Sequence, residues 1–209
     1  MKNRIALVTG GSRGIGKGIA IELAKNGVSV VVTYVKNKKE ADLVCQNIKS
    51  MKGSCATVQM DSKSRGSIKK AVEFARKKFG KIDILINNAA ISQEKPFESI
   101  TDDDFDKMMN VNLRGPFSLA QELIPDMVTN KWGRVINIVS IGGQWGGYNQ
   151  VHYAASKAAL INFTQSIAKI YSAQGITSNA ISPGLVATDM TSFELNTTLG
   201  RKKVSEIPA

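Results

Sequence analysis

Tyr153 and Lys157 stand four residues apart in the stretch from Val151 to Leu160, which contains no glycine or proline. On a helix that spacing places both side chains on one face. A cationic amine beside a phenol favours the phenolate, which brings a hydroxyl whose free pKa is about 10 within range of proton exchange near neutrality. The pair is therefore a candidate acid or base, although tyrosine and lysine at this spacing also commonly just share a helix surface. His152 does not extend the pair into a nucleophilic triad. Neighbours on a helix point in different directions, and no nucleophile elbow accompanies it.

The segments that must position this pair alternate in character along the chain. Ile5 to Thr9 reads as a strand that stops at Gly10-Gly11-Ser12-Arg13-Gly14-Ile15-Gly16, after which Ile15, Ile19, Ala20, Leu23 and Ala24 recur at helical spacing. Glycines at 10, 14 and 16 allow positive backbone torsions and a close main-chain approach to a ligand. They also aim a helix N-terminus at it, which suits a phosphate. The G-x-x-x-G-x-G spacing differs from the G-x-G-x-x-G dinucleotide fingerprint. Further strands are predicted over Val28–Tyr34, Ser54–Met60, Ile82–Asn87, Val135–Ser140 and Ile176–Ile181. Helices are predicted over Asn37–Met51, Ser64–Phe79, beyond Thr101 and over Val151–Tyr171, with Pro116 and Pro125 interrupting or bending the third of these.

This alternation predicts an α/β fold, a doubly wound and mostly parallel six-stranded sheet of Rossmann type with helices on both faces, in a single domain spanning residues 1–209. Ligands in such sheets bind beyond the carboxyl ends of the strands. Polar residues gather there: Thr9 to Gly16, Tyr34 to Asn37, Asp61, Asn87-Asn88, Ser140 and Ser182-Pro183-Gly184. One long crevice with a nucleotide across it is the expectation.

Composition narrows the classes further. With 209 residues and 43% hydrophobic content, the chain can bury one sizeable core. The formal charge of +11 is spread over Lys36, Lys38 and Lys39, over Lys63 to Lys81, and over Arg201 to Lys203. Such scatter argues against nucleic acid as the partner and suits attraction of phosphate-bearing ligands. Cys45 and Cys55 form no Cys-x-x-Cys and nothing like a secretory leader precedes Ile5, so a reduced, cytoplasmic protein is expected. No apolar run is long enough to span a bilayer. One histidine and two separated cysteines make a transition-metal site an unexpected feature. Asp102, Asp103, Asp104 and Asp106, after Thr101, fit the first turn of a helix.

Taken together, these residues resemble the short-chain dehydrogenase/reductase family. Thr9 to Gly16 is similar to its cofactor loop, Asn87-Asn88-Ala89-Ala90 to its Asn-Asn-Ala-Gly segment, and Asn112 to its catalytic asparagine. Ser140, Tyr153 and Lys157 resemble its Ser, Tyr, Lys set, and Pro183-Gly184 with Thr188-Asp189-Met190 the loop at the nicotinamide end. Within the family the chain looks most like bacterial 3-oxoacyl thioester reductases of fatty acid synthesis. The resemblance implies that Tyr153 exchanges a proton with substrate and that Ser140 hydrogen-bonds the substrate oxygen. It further implies that Lys157 lowers the Tyr153 pKa and holds the nicotinamide ribose, while Asn112 anchors a water.

The implied cofactor contacts are Thr9, Gly10, Ser12, Arg13, Gly14, Ile15, Gly16, Tyr34, Lys36, Asp61, Asn88, Ala89, Tyr153, Lys157, Pro183, Gly184 and Thr188. Tyr34 stands where an acid would hold a ribose hydroxyl, and Arg13 and Lys36 offer positive charge, so NADPH is expected over NADH. Trp132 and Trp145 are expected in packing or a pocket wall, and Gln144 to Gln150 at the substrate mouth. An acyl carrier protein is a possible partner: Lys131 keeps one basic docking position, whereas Gln174 replaces another. A homodimer or homotetramer is implied.

Two departures stand out. Ala90 replaces a family glycine, and the chain ends at Ala209, where relatives continue past Glu206-Ile207-Pro208 with a helix and a seventh strand. Ile176–Ile181 should then be an open sheet edge and Thr191 to Lys203 a mobile flap. Alternatives are a dehydrogenase of a sugar, steroid or other secondary alcohol, or a shortened cofactor-binding or interaction protein with little turnover.

Overall fold

The computed structural model describes residues 3–195, 197–198 and 204–205. Ala6, Leu7, Val8, Val30, Val31, Val32, Ile84, Leu85 and Ile86 are all exposed by 2% or less, the signature of strands covered on both faces. They belong to β1 (Ile5–Val8), β2 (Ser29–Tyr34) and β4 (Ile84–Asn87). With β3 (Cys55–Gln59), β5 (Gly133–Ile138) and β6 (Ile176–Ile181) they form one sheet of order β3-β2-β1-β4-β5-β6, and every pairing is parallel. Leu7 lies level with Val31 and Leu85, which fixes the register at the centre.

Alternation along each strand divides the core in two. Leu7, Val31, Leu85 and Val135 face one layer, built with α3 (Arg65–Phe79), α5 (Gly115–Thr129) and α7 (Val151–Tyr171). Ala6, Val8, Val30, Val32, Ile84 and Ile86 face the other, built with α1 (Gly14–Lys25) and α2 (Lys38–Ser50). Fully burying a Leu or Ile stabilises by roughly 1.5–3 kcal/mol, so both layers hold the sheet flat against its helices. α4 (Asp102–Met109) opens on a capping box between Thr101 and Asp104, as the acidic run after Thr101 anticipates. Two short helices, α6 (Gly142–Trp145) and α8 (Ser192–Leu195), lie beyond β5 and β6.

The parallel direction of the strands is the one expected, and α7 and β6 match their predicted limits. Several local expectations require correction. The strands before α1 and α6 end at Val8 and Ile138, so Thr9 and Ser140 sit in the connections that follow them. Pro116 lies in the first turn of α5, and Pro125 lies inside it without ending it, because burial of Leu119, Leu123, Ile124 and Met127 outweighs a local cost of about 3 kcal/mol. Between α4 and α5 the backbone widens into a π turn over Asn110–Arg114. Trp145 is not packing: it is 85% exposed.

Cys45 and Cys55 are not free thiols. α2 and β3 bring their α-carbons within 5.2 Å, inside the bridging range, and the two are joined by a disulfide. β6 is a sheet edge, with Ile181 half exposed. The Arg201 to Lys203 group, the Glu206-Ile207-Pro208 region and the far part of the flap lie outside the described residues. Among those described, no helix is long and apolar enough to cross a membrane.

Candidate active site

Parallel pairing sends the carboxyl ends of all six strands to one rim, and the turns that follow them carry the polar residues singled out in the sequence. Thr9 organises the first pair of turns. Its hydroxyl accepts the Asn88 and Ala89 backbone N–H groups, each at 2.9 Å, and donates to the Ile86 carbonyl at 3.2 Å. Asn88 Nδ2 answers by donating to the Thr9 and Gly10 carbonyls at 2.9 and 3.2 Å. Thr9 and Asn88 thus spend their side chains clamping the loop after β1 to the loop after β4, with Ala89 held in the same clamp.

The glycine loop takes the shape that a phosphate needs. Gly10 and Gly14 have φ of 61° and 52°, which side chains rarely adopt. Gly16 does not: its requirement is space, since a β-carbon there would fall 2.4 Å from Asn88 Nδ2. Arg13, at the head of α1, makes no side-chain cap, and among the described residues the N–H groups of the first turn, from Gly14, Ile15 and Gly16, have no side-chain acceptor. Ser12, in the same loop, is buried. Uncapped donors at the positive end of a twelve-residue helix fit a pyrophosphate.

The remaining candidate cofactor residues surround this loop. Tyr34 is half-buried at the end of β2 and Lys36 exposed just beyond. Asp61 follows β3, and its carboxylate accepts the Lys63 N–H at 2.9 Å, so its side chain holds a turn. Thr188 reaches back over Gly14, where its methyl would be 3.3 Å from an added β-carbon. Arg13 meets Asp189 at 3.4 Å, both exposed. Among the described residues, apart from its chain neighbours, nothing lies within 4 Å of where a Gly184 side chain would begin, and the Pro183 carbonyl accepts the Ile141 N–H, joining the turns after β5 and β6.

Ser140, Tyr153 and Lys157 come together above β5. Lys157 is 3% exposed, and its Nζ donates to the Ile138 carbonyl at 2.8 Å. The same Nζ lies 5.7 Å from the centre of the Tyr153 ring, so the shared helix face predicted from the spacing is present. Burial pushes the Lys157 amine down to about 8. The expected depression of Tyr153 is overturned. Burial raises the phenol above 10.0, and the opposing hydrogen bond with Ser140 is the smaller effect. Desolvation of the phenolate outweighs its neighbours, so the neutral phenol is favoured.

Asn112 is 1% exposed in the π turn. Its amide bonds both main-chain groups of Ile91 at 2.9 Å and donates to Ser156 Oγ at 3.1 Å. Ser156 in turn donates to the Tyr153 carbonyl at 2.7 Å. Asn112 therefore reaches the tyrosine through Ser156.

A second buried chain escaped the sequence reading. Asn87 Nδ2 donates to Asn137 Oδ1 at 2.7 Å, Asn137 to Thr164 at 2.8 Å and Thr164 to the Leu160 carbonyl at 2.7 Å, tying β4 through β5 to α7. Asparagine is depleted in strands, so its presence in the Val-Ile-Asn-Ile run of β5 was the available signal.

The description "short chain dehydrogenase" belongs to the family model that matches residues 4–198. The chain is 38% identical over 188 residues to the 3-oxoacyl-[acyl-carrier-protein] reductase of Synechocystis sp., covering 90% of this chain and 76% of that protein. It is 37% identical over 209 residues to the 3-oxoacyl-[acyl-carrier-protein] reductase FabG of Aquifex aeolicus, covering 100% of this chain and 84% of that one. Among solved structures, a putative NAD(P) dependent gluconate 5-dehydrogenase from Beutenbergia cavernae, with NADP bound at low occupancy, superposes with a TM-score of 0.93. The two are 28% identical, and the match covers 100% of this chain and 83% of the other.

Proposed function

Because the chain belongs to the short-chain dehydrogenase/reductase family of NAD(P)-dependent oxidoreductases acting on alcohol and carbonyl groups, we propose that it reduces a 3-oxoacyl thioester with NADPH. The observation that carries the reading is the half-buried Tyr153 hydrogen-bonded to Ser140, with the Lys157 amine 5.7 Å from the centre of its ring. When bound, the nicotinamide supplies the hydride.

The chain's own residues do the rest. The Ser140 hydroxyl donates to the substrate oxygen and stabilises negative charge as it grows there. Tyr153, kept protonated by burial, gives its phenolic proton to that oxygen. Lys157 offers positive charge to the phenolate left behind, and Asn112, through Ser156, fixes the backbone from which Tyr153 projects. The uncapped first turn of α1 would hold the pyrophosphate, Gly184 and Thr188 would flank the nicotinamide end, and Tyr34, Lys36 and Arg13 would meet the adenosine end.

Tyr153→Phe tests the reading. Turnover should fall by about a hundredfold or more, the usual scale of a lost general acid, while cofactor affinity stays the same. Undiminished turnover would remove Tyr153 from the chemistry. Preference for NADPH rests on Arg13 and Lys36 near a strand end that lacks an acid. Arg13→Ala should lower NADPH affinity and leave NADH affinity unaltered; an unchanged ratio of the two counts against the assignment.

An acyl carrier protein would present the substrate, and a homodimer or homotetramer is part of the same proposal. So is a cytoplasmic location, against which the Cys45–Cys55 bridge stands, because reducing surroundings keep such pairs open. The likeness in fold to a gluconate 5-dehydrogenase favours a second reading, oxidation of a sugar-type secondary alcohol. Following cofactor absorbance with acetoacetyl thioesters, simple ketones and sugar acids separates the two.

A further inference from the structure

His152 precedes Tyr153 in the first turn of α7 and is 1% exposed. Its Nε2 lies 2.9 Å from Gln93 Oε1. The other end of the Gln93 amide, Nε2, lies 3.1 Å from Asp104 Oδ1. Asp104 also accepts from Lys95 and from Thr101, and these bonds, Lys95 first, hold its carboxyl well below the usual carboxylate range. An ionised carboxylate can only accept. Gln93 must therefore turn its NH2 towards Asp104 and its oxygen towards His152. That oxygen can only accept as well, so the hydrogen of the imidazole sits on Nε2. Nδ1 is left as a bare acceptor, and it is buried with no hydrogen-bond partner among the described residues.

The location gives this hydrogen-bond chain a use. Gln150, at the head of α7, makes no side-chain cap, so the turn that carries Tyr153 lacks the ordinary lock of a helix start. The turn is instead held from the segment after β4. Gln93 grips His152 on one side of it, while Ile91, through Asn112 and Ser156, grips the Tyr153 carbonyl on another. Lys95 N–H adds a bond to the Asn149 carbonyl at 2.7 Å just before the helix.

We infer that His152 and Gln93 are positioning residues for Tyr153, with the imidazole locked as its Nε2–H tautomer by the acceptor-only Asp104. The inference rests on the proposed role of Tyr153 as proton donor, and its test reads the tautomer independently of turnover.

His152 is the chain's one histidine, so tag-free protein labelled with 15N-histidine gives a single imidazole to assign. The expected spectrum shows protonated Nε2 and bare Nδ1 in the wild type and in Tyr153→Phe. Gln93→Leu and Asp104→Asn should each release the lock and give mixed tautomers. In kinetics, His152→Ala should lower kcat by about tenfold to a hundredfold, the cost of a slightly misplaced reacting group, with cofactor affinity unchanged. His152→Gln, whose amide can still donate to Gln93, should recover most of that loss. Should His152→Ala fail to fold, Gln93→Leu carries the kinetic arm with the same expectation for kcat. A wild-type ring protonated on Nδ1, or on both nitrogens, overturns the inference, as does His152→Gln as impaired as His152→Ala. Normal turnover in Tyr153→Phe would defeat the role of Tyr153 and leave the tautomer result to stand separately.

Discussion

Lys157 is an amine with almost no access to water, held against a single backbone carbonyl. Its pKa of about 8 in the fold lies below the ordinary 10.5 of the unfolded chain. Between those values the unfolded state binds more protons, so this residue's contribution to stability rises with pH across the window and is constant below it. Lys157→Met has no such dependence. Its stability relative to the wild type should therefore decline by up to roughly 3 kcal/mol as pH goes from about 8 to 10.5. Urea unfolding of both proteins at several pH values checks this, and a constant margin would contradict the burial argument. At this scale the sequence offered Tyr153 and Lys157 by their spacing, and Ser140 and Asn112 as catalytic candidates only through the family resemblance. It was silent on Ser156, Gln93 and Asn137. A short polar residue has no periodic signature, and the partner that gives it meaning stands 44, 59 or 50 positions away.

Elements were easier to read than their joints. The valine-rich strands and the unbroken helix after Gln150 follow from hydrophobic period and the absence of breakers, whereas the π turn at Asn110–Arg114 leaves no period to detect. The disulfide joins two elements in a way that Cys spacing alone could not announce, because only the packing of α2 on β3 sets the cysteines face to face. It closes a loop of sequence separation 10, so reduction should lower stability by about 3 kcal/mol on a chain-entropy account. Cofactor affinity should survive, because Cys55 begins β3 whereas Asp61 lies beyond its other end. Urea titrations and NADPH binding with and without dithiothreitol measure both; loss of binding on reduction would show that the bridge supports the crevice.

For the molecule as a whole, the outer faces of α5 and α7 are where the proposed homodimer can be tested. Phe117 packs on Phe163 with ring centres 6.0 Å apart, yet remains 44% exposed, so two helices share an aromatic surface turned to solvent. A homodimer built there predicts that Phe117→Glu shifts the protein to a smaller species in sedimentation, while the far-ultraviolet spectrum is unaltered. Unchanged mass would direct the interface elsewhere. The two tryptophans divide the molecule in another sense. Trp132 is clasped between the guanidinium groups of Arg4 and Arg134, at 3.9 and 4.3 Å from its ring, whereas Trp145 stands 85% exposed a few residues beyond Ser140. Emission from the first, partly buried, reports on the underside of the sheet and is less open to collisional quenchers. Emission from the second is open to them, so the protein carries an intrinsic optical probe beside its catalytic rim and an internal reference remote from it.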